Sequence, residues 1–350
     1  MINNWKTQIT PLDNAHNVKD GVYFDQTMDW FKAFHHYCLG AEIQPYIANA
    51  YFKENEVLTN FVFTQNKNSE LQGLSNYYTS HGGPYIVAEQ EKAGDETIMC
   101  SMLISSIFNH FKESPKLSFY PFTLDDAARE SFKSCLKIQK LSGFYYIKYG
   151  NWYLDVGKMS FDEYWQQLPS KLRSTLTRKK KKLLKSHDYQ IEIHTTVDDV
   201  KNHIKQYFDV YAKSWKTEEG YPEFIEAFAI QAAQQGWTRL GILSVDDTPV
   251  AAQLWFVKSR IACIFKLSYD EAYKQLSVGS ILTEALMKYA FEVDKVKEVD
   301  YLNGDDAYKK DWMTARREMW TVEIYNMSNI RGLIGGTLAN IKQIIKPSIQ

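Results

Sequence analysis

The chain has 350 residues, an apolar share of 45% and a formal net charge of -1 at pH 7. Single hydrophobic cores usually stop growing before this length, so two domains are expected. The apolar and aromatic content excludes a disordered chain, and the balanced charge gives the molecule no global electrostatic reason to bind DNA. The four cysteines form no CxxC pair, which favours neither a zinc site nor a disulfide framework.

The first residues contain no apolar core of signal-peptide length, and no later stretch reaches about 18 uncharged apolar residues. A cytoplasmic location without a transmembrane segment is therefore the expectation.

The first half of the chain mixes helical and strand-like patterns, which predicts a domain with both helices and strands. Apolar spacing predicts helices at 29–37, 97–111 and 125–136, and strands at 58–63, 77–85, 117–122 and 145–154. We expect the domain junction near residue 155.

The segment from Ser160 to Lys185 is the one strongly basic stretch. Ser160 precedes Glu163 by three residues, a capping-box spacing, and Pro169 predicts a division into two helices. No acidic residue lies between Lys171 and Lys185, so the second helix must have a positive face.

The second half continues with a strand and two helices, then three antiparallel strands. The strands are predicted at 190–195, 238–245, 249–257 and 260–267, and the helices at 197–215 and 222–234. A helix (281–292), a strand (299–302), a short helix (307–313) and a strand (318–325) follow. The tail, 333–345, is an amphipathic helix that we expect to pack on the protein without stable membrane anchoring.

A glycine-containing loop, KQLSVGS, lies between the third of these strands and the next helix. The start of a helix exposes unpaired N–H groups and the positive end of the helix dipole, which suit a diphosphate. Gly279 lets the backbone approach such a ligand closely. Gln275, Ser277, Val278 and Ser280 are predicted to share this site, although a glycine at a helix start is also plain punctuation.

The order of elements in the second half resembles the GNAT acyltransferase fold. The glycine loop is similar to the family's Q/R-x-x-G-x-G/A pattern, with Gln275 four residues before Gly279 instead of three. Four further pieces resemble the FemAB-like, cellulose-biosynthesis (CelD/BcsL) branch of GNAT acetyltransferases: Tyr164-Trp165 with Leu168-Pro169, KLRSTLTRKKKKL from Lys171, Ser268-Tyr269-Asp270, and NGDDAYKKDW from Asn303.

This resemblance implies an α/β (α+β) fold of tandem GNAT-like domains, each a mixed, mostly antiparallel sheet flanked by helices. It implies a degenerate domain at 1–155, a catalytic domain at 156–328 and a C-terminal helix at 329–350. The implied reaction is acyl transfer from acetyl-CoA or another acyl-CoA, without a metal, to an amine or hydroxyl of a small-molecule or saccharide acceptor, such as a cell-envelope precursor in polysaccharide biosynthesis.

Two other interpretations stay open. FemAB relatives transfer aminoacyl groups from charged tRNA, which the basic helix would support. A non-catalytic scaffold that binds a partner is the third.

The candidate site residues follow from the same resemblance and from the pattern. The thioester carbonyl is expected along Phe265, Lys266 and Leu267. Asp270, Asp305 and Asp306 are candidate bases, and Tyr308 is the candidate acid for the leaving thiolate. An aspartate at a strand end is also typical of a turn, and Tyr308 can also serve packing.

The acceptor is expected to contact Lys309, Trp312, Gln253, Arg173 and Arg178. Lys309 and the two arginines would neutralise an anionic group, and Gln253 would line the cleft if its face of the strand does. The alternatives are a surface lysine, a satisfied buried glutamine and a solvated helix face.

Overall fold

The computed structural model describes residues 5–16, 18–52, 56–86, 96–123 and 126–345. The chain divides into two compact units, Met1–Tyr149 with Glu318–Gln350, and Gly150–Arg317. This division differs from the predicted boundaries at 155 and 328. The reason is that Trp320, Val322 and Ile324 join the apolar core of the first unit.

The strands are β1 (Trp5–Pro11), β2 (Pro45–Phe52), β3 (Glu56–Gln65), β4 (Leu71–Gly73), β5 (Tyr85–Ile86), β6 (Lys116–Phe122), β7 (Leu141–Asp155), β8 (Tyr189–His194), β9 (Thr238–Val245), β10 (Thr248–Lys258), β11 (Ile261–Tyr269), β12 (Glu298–Asp300) and β13 (Ala315–Asn326). The helices are α1 (Met28–Cys38), α2 (Glu96–His110), α3 (Asp126–Ile138), α4 (Phe161–Gln167), α5 (Ser170–Ser186), α6 (Val197–Ala212), α7 (Pro222–Gln234), α8 (Val278–Glu292) and α9 (Ile330–Ile345).

In the first unit the strand order is β1-β2-β3-β4-β6-β13, and β5 pairs with β3. All these pairings are antiparallel except that of β4 with β6. The segment 77–85, predicted as a strand, forms a loop up to Tyr85. Buried Asp25 accepts the backbone N–H groups of Ser80 and His81 at 2.7 and 3.0 Å, so these donors are not available to a sheet.

In the second unit the last residues of β7 begin a sheet that continues β12-β11-β10-β9-β8. Only β11 and β12 run parallel. Side chains along β10 alternate between two faces. Phe256 contacts Phe228 of α7, whereas Trp255 joins the core that includes α4, α5 and α8. The sheet therefore has α6 and α7 on one face and α8 on the other.

Both units are mostly antiparallel sheets flanked by helices, which confirms the predicted fold class. Within the described ranges, no helix has the length and apolar character needed to cross a bilayer. The helix predicted at 307–313 is a single 3-10 turn, Lys309–Asp311.

Candidate functional site

The second unit has an open strand edge. β11 pairs with β12 only from Ile261 to Cys263, because the chain after Asp300 turns toward β7 and Tyr301 donates its N–H to the carbonyl of Trp152 at 3.0 Å. No strand in the described part of the chain pairs with that edge of β11 beyond Cys263. The sheet therefore splays apart at this point.

The backbone direction along β11 follows from one hydrogen bond. Asp270 donates its N–H to Val250 of β10 at 2.8 Å. Backbone groups alternate in direction along a strand, so those of Ser268 and Lys266 also face β10, and those of Leu267 face the open edge. A register shift leaves Phe265 as an extra residue, and such a bulge bends the strand where the edge opens.

The helix α8 begins beside this edge. Ser277 adopts a left-handed conformation (φ 57°), and no side-chain hydrogen bond caps the first turn in the described structure. The first N–H groups of α8 are therefore available to a ligand. A Cβ atom on Gly279 would lie 2.9 Å from Cδ1 of Tyr269, so this position needs a glycine for close approach. Gln275 is exposed, Ser277 and Ser280 are partly exposed, and Val278 is buried.

Gln253 of β10 fixes the start of α8 by hydrogen bonds from the sheet. Its Nε2 donates to the carbonyl of Gly279 at 3.0 Å and to Oγ1 of Thr283 at 2.8 Å, and its Oε1 accepts from Trp255 at 2.9 Å. Gln253 is 1% exposed. The side chain is thus satisfied within the protein, which differs from the predicted contact with an acceptor.

The basic helix α5 lies against the glycine loop. Lys179 donates to the carbonyl of Gln275, and Lys180 forms an ion pair with Glu284 of α8 at 2.5 Å. Arg173 donates to the carbonyl of Leu168 and to Gln166, so it braces the α4–α5 junction. Arg178 is exposed. The glycine loop and the basic helix α5 are therefore in direct contact.

Lys309 is buried under the loop that follows β12. Its Nζ donates to the carbonyls of Tyr301 and Gly304 at 3.2 Å and to that of Asn303. Burial lowers the pKa of Lys309, and Asp306, 3.5 Å away, opposes that shift. The side chain therefore fixes the loop, a role that differs from both the predicted acceptor contact and a surface lysine.

Three other predicted residues lie on or beside this loop. Asp305 accepts from Nε1 of Trp152 at 2.6 Å and pairs with Arg316 at 2.7 Å, and the bonds from Arg316 hold the pKa of Asp305 below its usual range. Burial raises the pKa of Tyr308, so its half-exposed phenol stays protonated. Trp312 is buried, and its carbonyl accepts from Tyr164 at 2.9 Å.

Asp270 caps the 3-10 helix after β11. Its Oδ1 accepts the N–H of Ala272 at 2.9 Å. This contact is typical of a turn residue and leaves Asp270 beside the glycine loop.

The sequence did not reveal a network that anchors the same loop. Asp300, 0% exposed, accepts from Asn151 at 2.6 Å and from the N–H of Leu302 at 2.6 Å, and it pairs with Arg317. Leu302 has a left-handed conformation (φ 53°). The network stabilises this turn and thus the direction in which the chain leaves β12.

A second group lies on the α6 face of β11, where Lys216, which the sequence did not single out, joins Lys266, which was predicted to lie along the thioester. Lys266 pairs with Glu219 at 2.9 Å, and the Nζ atoms of Lys266 and Lys216 lie 6.0 and 5.5 Å from the ring centroid of Tyr211. Burial lowers the pKa of Lys216 to about 8, with Lys266 acting in the same direction and Glu219 opposing. Nothing in the local sequence pattern distinguishes Lys216 from the many surface lysines.

This geometry fits a diphosphate-carrying thioester. The uncapped start of α8 would hold the diphosphate on one face, and Leu267 directs its backbone toward the splayed edge. Lys216 and Lys266 face the opposite side of the sheet, where an acceptor would approach.

Comparison with known proteins agrees with this geometry. Residues 170–310 match the family model of the acetyltransferase (GNAT) domain. No curated protein matches the chain.

Solved structures share the fold. The chain is similar to FemX (TM-score 0.61, 10% identity, covering 92% of this chain and 98% of that one). It is also similar to L-PGS from Bacillus licheniformis (TM-score 0.51, 10% identity, 93% and 99%) and to a conserved protein of unknown function from Bacteroides thetaiotaomicron VPI-5482 (TM-score 0.53, 7% identity, 88% and 93%). Identities this low show the fold alone. Residues 170–310 thus have a fold of the GNAT acyltransferase type.

Proposed function

We propose that the chain is an acyltransferase that moves an acetyl or other acyl group from acyl-CoA to an amine or hydroxyl of a sugar or cell-envelope precursor. The observation that carries this proposal is the pairing of an open β11 edge with the uncapped start of α8. In this proposal the open edge binds the thioester and the helix start binds its diphosphate, so the two groups would lie side by side. Acyl-CoA supplies an activated carbonyl when it is bound.

The backbone carries the binding part of the proposal. The N–H groups of Gly279 and Ser280 at the start of α8 would hold the diphosphate, with Lys179 keeping the preceding turn in place. The backbone of Leu267 would orient the thioester carbonyl from the open edge. These backbone groups are fixed before a ligand binds. Little free energy is therefore needed to order them when the transition state forms.

The acceptor would approach from the α6 face. There Lys216 adds a positive charge that favours an acceptor carrying a carboxylate or phosphate. Tyr308, kept neutral by burial, would donate its proton to the departing thiolate, and the proton that the attacking acceptor loses would return to the phenolate oxygen. Asp270 and Asp305 have protein partners, and we propose that they position the loops on either side of the site.

Calorimetric titration with acetyl-CoA tests the proposed acyl-CoA site at the start of α8. We expect saturable binding that Gly279→Trp abolishes, because the indole would fill the space against Tyr269. Gln190→Trp, on the exposed edge strand β8, is the matched control and should bind normally. No saturable binding by the unaltered protein would refute the proposal.

Thiol release across a panel of anionic amine and sugar acceptors then tests the reaction. Tyr308→Phe should lower kcat by about 10²-fold or more without weakening acetyl-CoA binding. Binding without thiol release from any acceptor would favour the scaffold interpretation.

A second candidate function is aminoacyl transfer from charged tRNA. The observation that favours it is the exposed face of α5, where Arg178, Lys181, Lys182 and Lys185 remain available after Lys179 and Lys180 have bound protein groups. Reversing the charges of Lys181 and Lys182 should then weaken tRNA binding and reduce its salt dependence. Unchanged tRNA affinity would exclude this function, whatever the result with acetyl-CoA.

A further inference from the structure

The C-terminal helix α9 turns its apolar face away from the protein. Its large apolar side chains range from 45% exposed at Ile341 to 78% at Ile330. The exposed set is Ile330, Leu333, Ile334, Leu338, Ile341, Ile344 and Ile345. Apart from the adjacent pairs Leu333–Ile334 and Ile344–Ile345, successive positions are three or four residues apart, so they form one stripe along the helix.

The inward face of α9 consists of small residues. Gly332, Gly336 and Ala339 are buried, and a Cβ atom on Gly332 would lie 2.1 Å from the carbonyl oxygen of Asn326 and 2.8 Å from that of Pro115. The backbone of α9 therefore packs directly against the rest of the first unit. This orientation is the reverse of an ordinary amphipathic helix, which buries its large apolar side chains.

The charges around the stripe are positive. Arg331 and Lys342 follow Ile330 and Ile341 by one residue, so both lie on the same rim of the stripe, and both are exposed. Arg331 donates to the backbone carbonyls of Asn68 and Glu113 and forms no ion pair with a described carboxylate. The sequence contains no aspartate or glutamate from Asn326 to the last residue.

A second exposed apolar residue lies near the start of α9. Ile138 is 83% exposed, between the exposed side chains of Lys137 and Lys140. Met327 donates its N–H to the carbonyl of Lys140 at 3.1 Å, which places this corner beside the start of α9. Exposed apolar groups flanked by basic residues are thus found there as well.

We propose that α9 lies in the surface of an anionic lipid bilayer, with the stripe at the boundary of the headgroups and acyl chains and Lys342 at the headgroups. Helices with a wide apolar stripe and basic rims bind in this way. The helix has 16 residues, fewer than the roughly 20 needed to span a bilayer. The proposal is independent of the acyltransferase site.

The charges favour a lipid surface over a second copy of the chain. In a two-fold contact the same patch meets itself, so the basic rims would face like charges with no acidic residue on the helix to pair with them. An anionic bilayer supplies the complementary charge.

Co-sedimentation of the full chain with vesicles tests the proposal. We expect binding to vesicles of equal parts phosphatidylglycerol and phosphatidylcholine, and at least about tenfold weaker binding to phosphatidylcholine alone. Ile334→Glu with Leu338→Glu should abolish binding, because both positions face outward and their charges would enter the apolar boundary. Lys342→Gln should weaken binding only to the anionic vesicles.

The matched control is Gln190→Glu with Gln235→Glu, which adds the same charge at exposed positions of the second unit. It should bind as the unaltered protein does, and all variants should keep the same circular dichroism spectrum. The proposal fails if the unaltered protein binds neither vesicle, or if the stripe variant still binds. It also fails if sedimentation shows a dimer that the stripe variant dissociates, since a second copy would then cover α9.

Discussion

The side-chain amide of Gln253 donates a hydrogen bond to the carbonyl oxygen of Gly279, with 3.0 Å between Nε2 and O. This bond links the middle of β10 to the first turn of α8. The position of the proposed diphosphate site thus depends on a residue that cannot contact the ligand.

Replacing Gln253 with leucine should destabilise the protein and weaken acetyl-CoA binding together. The change leaves the indole N–H of Trp255 without its buried partner and removes one of the bonds to the carbonyl of Gly279, which costs about 1–3 kcal/mol. Urea unfolding and calorimetry would measure the two effects. Thr283→Val removes only one partner of Gln253 and should have a smaller effect on both. Unaltered acetyl-CoA affinity in Gln253→Leu would contradict the assigned positioning role.

Replacing Ser277 with glycine should stabilise the folded protein. Ser277 is left-handed (φ 57°), a conformation that costs a residue with a Cβ atom about 1 kcal/mol more than glycine. The gain should appear as a higher urea midpoint with an unchanged slope. Ser280→Gly, three residues further inside the helix, is the control and should lose about 0.5–1 kcal/mol. Equal effects of the two substitutions would contradict the left-handed assignment.

Replacing Asp300 with asparagine should cost about 1–3 kcal/mol of the free energy of unfolding, because Arg317 loses its buried counter-charge and keeps only the partly exposed Glu298 at 3.2 Å. Arg317→Met alone should also destabilise. In a double-mutant cycle the combined variant should lose much less than the sum of the two. Additive losses would show that the two side chains are not coupled.

Lys216 should give the stability a distinctive dependence on pH. Its folded pKa is about 8, below the ordinary lysine value of 10.5. Between these values the unfolded chain binds a proton that the folded protein does not, so this group makes stability rise with pH through that window. Lys216→Met removes that slope and should be more stable than the parent protein below pH 8.

The stability advantage of Lys216→Met should disappear as the pH approaches 10.5. Urea unfolding of both proteins across the window measures the difference, which cancels the contribution of other titrating groups. Lys288→Met, at an exposed lysine of α8, is the control and should show no such trend. A constant difference for Lys216→Met would mean that its ammonium titrates normally.

Local physics made several elements of the second unit predictable. The proline at the start of α7 and the capping box at Ser160 mark helix starts because they satisfy or remove orphan donors within a few residues. The meander of β9, β10 and β11 was predicted from alternation between turns. The loop predicted to bind a diphosphate does lie at a helix start, beginning at Val278.

The sequence by itself therefore determined the types and order of the elements, the glycine loop and the amphipathic tail, because these depend on neighbours within a few residues. Only the tertiary structure decided that Lys309 is buried under a loop, that Lys216 lies beside Lys266, and that α9 packs by its glycines. Each of those outcomes depends on partners distant in the chain. Burial changes what a lysine can do, and a contact too close for any Cβ atom decides which face of a helix meets the protein.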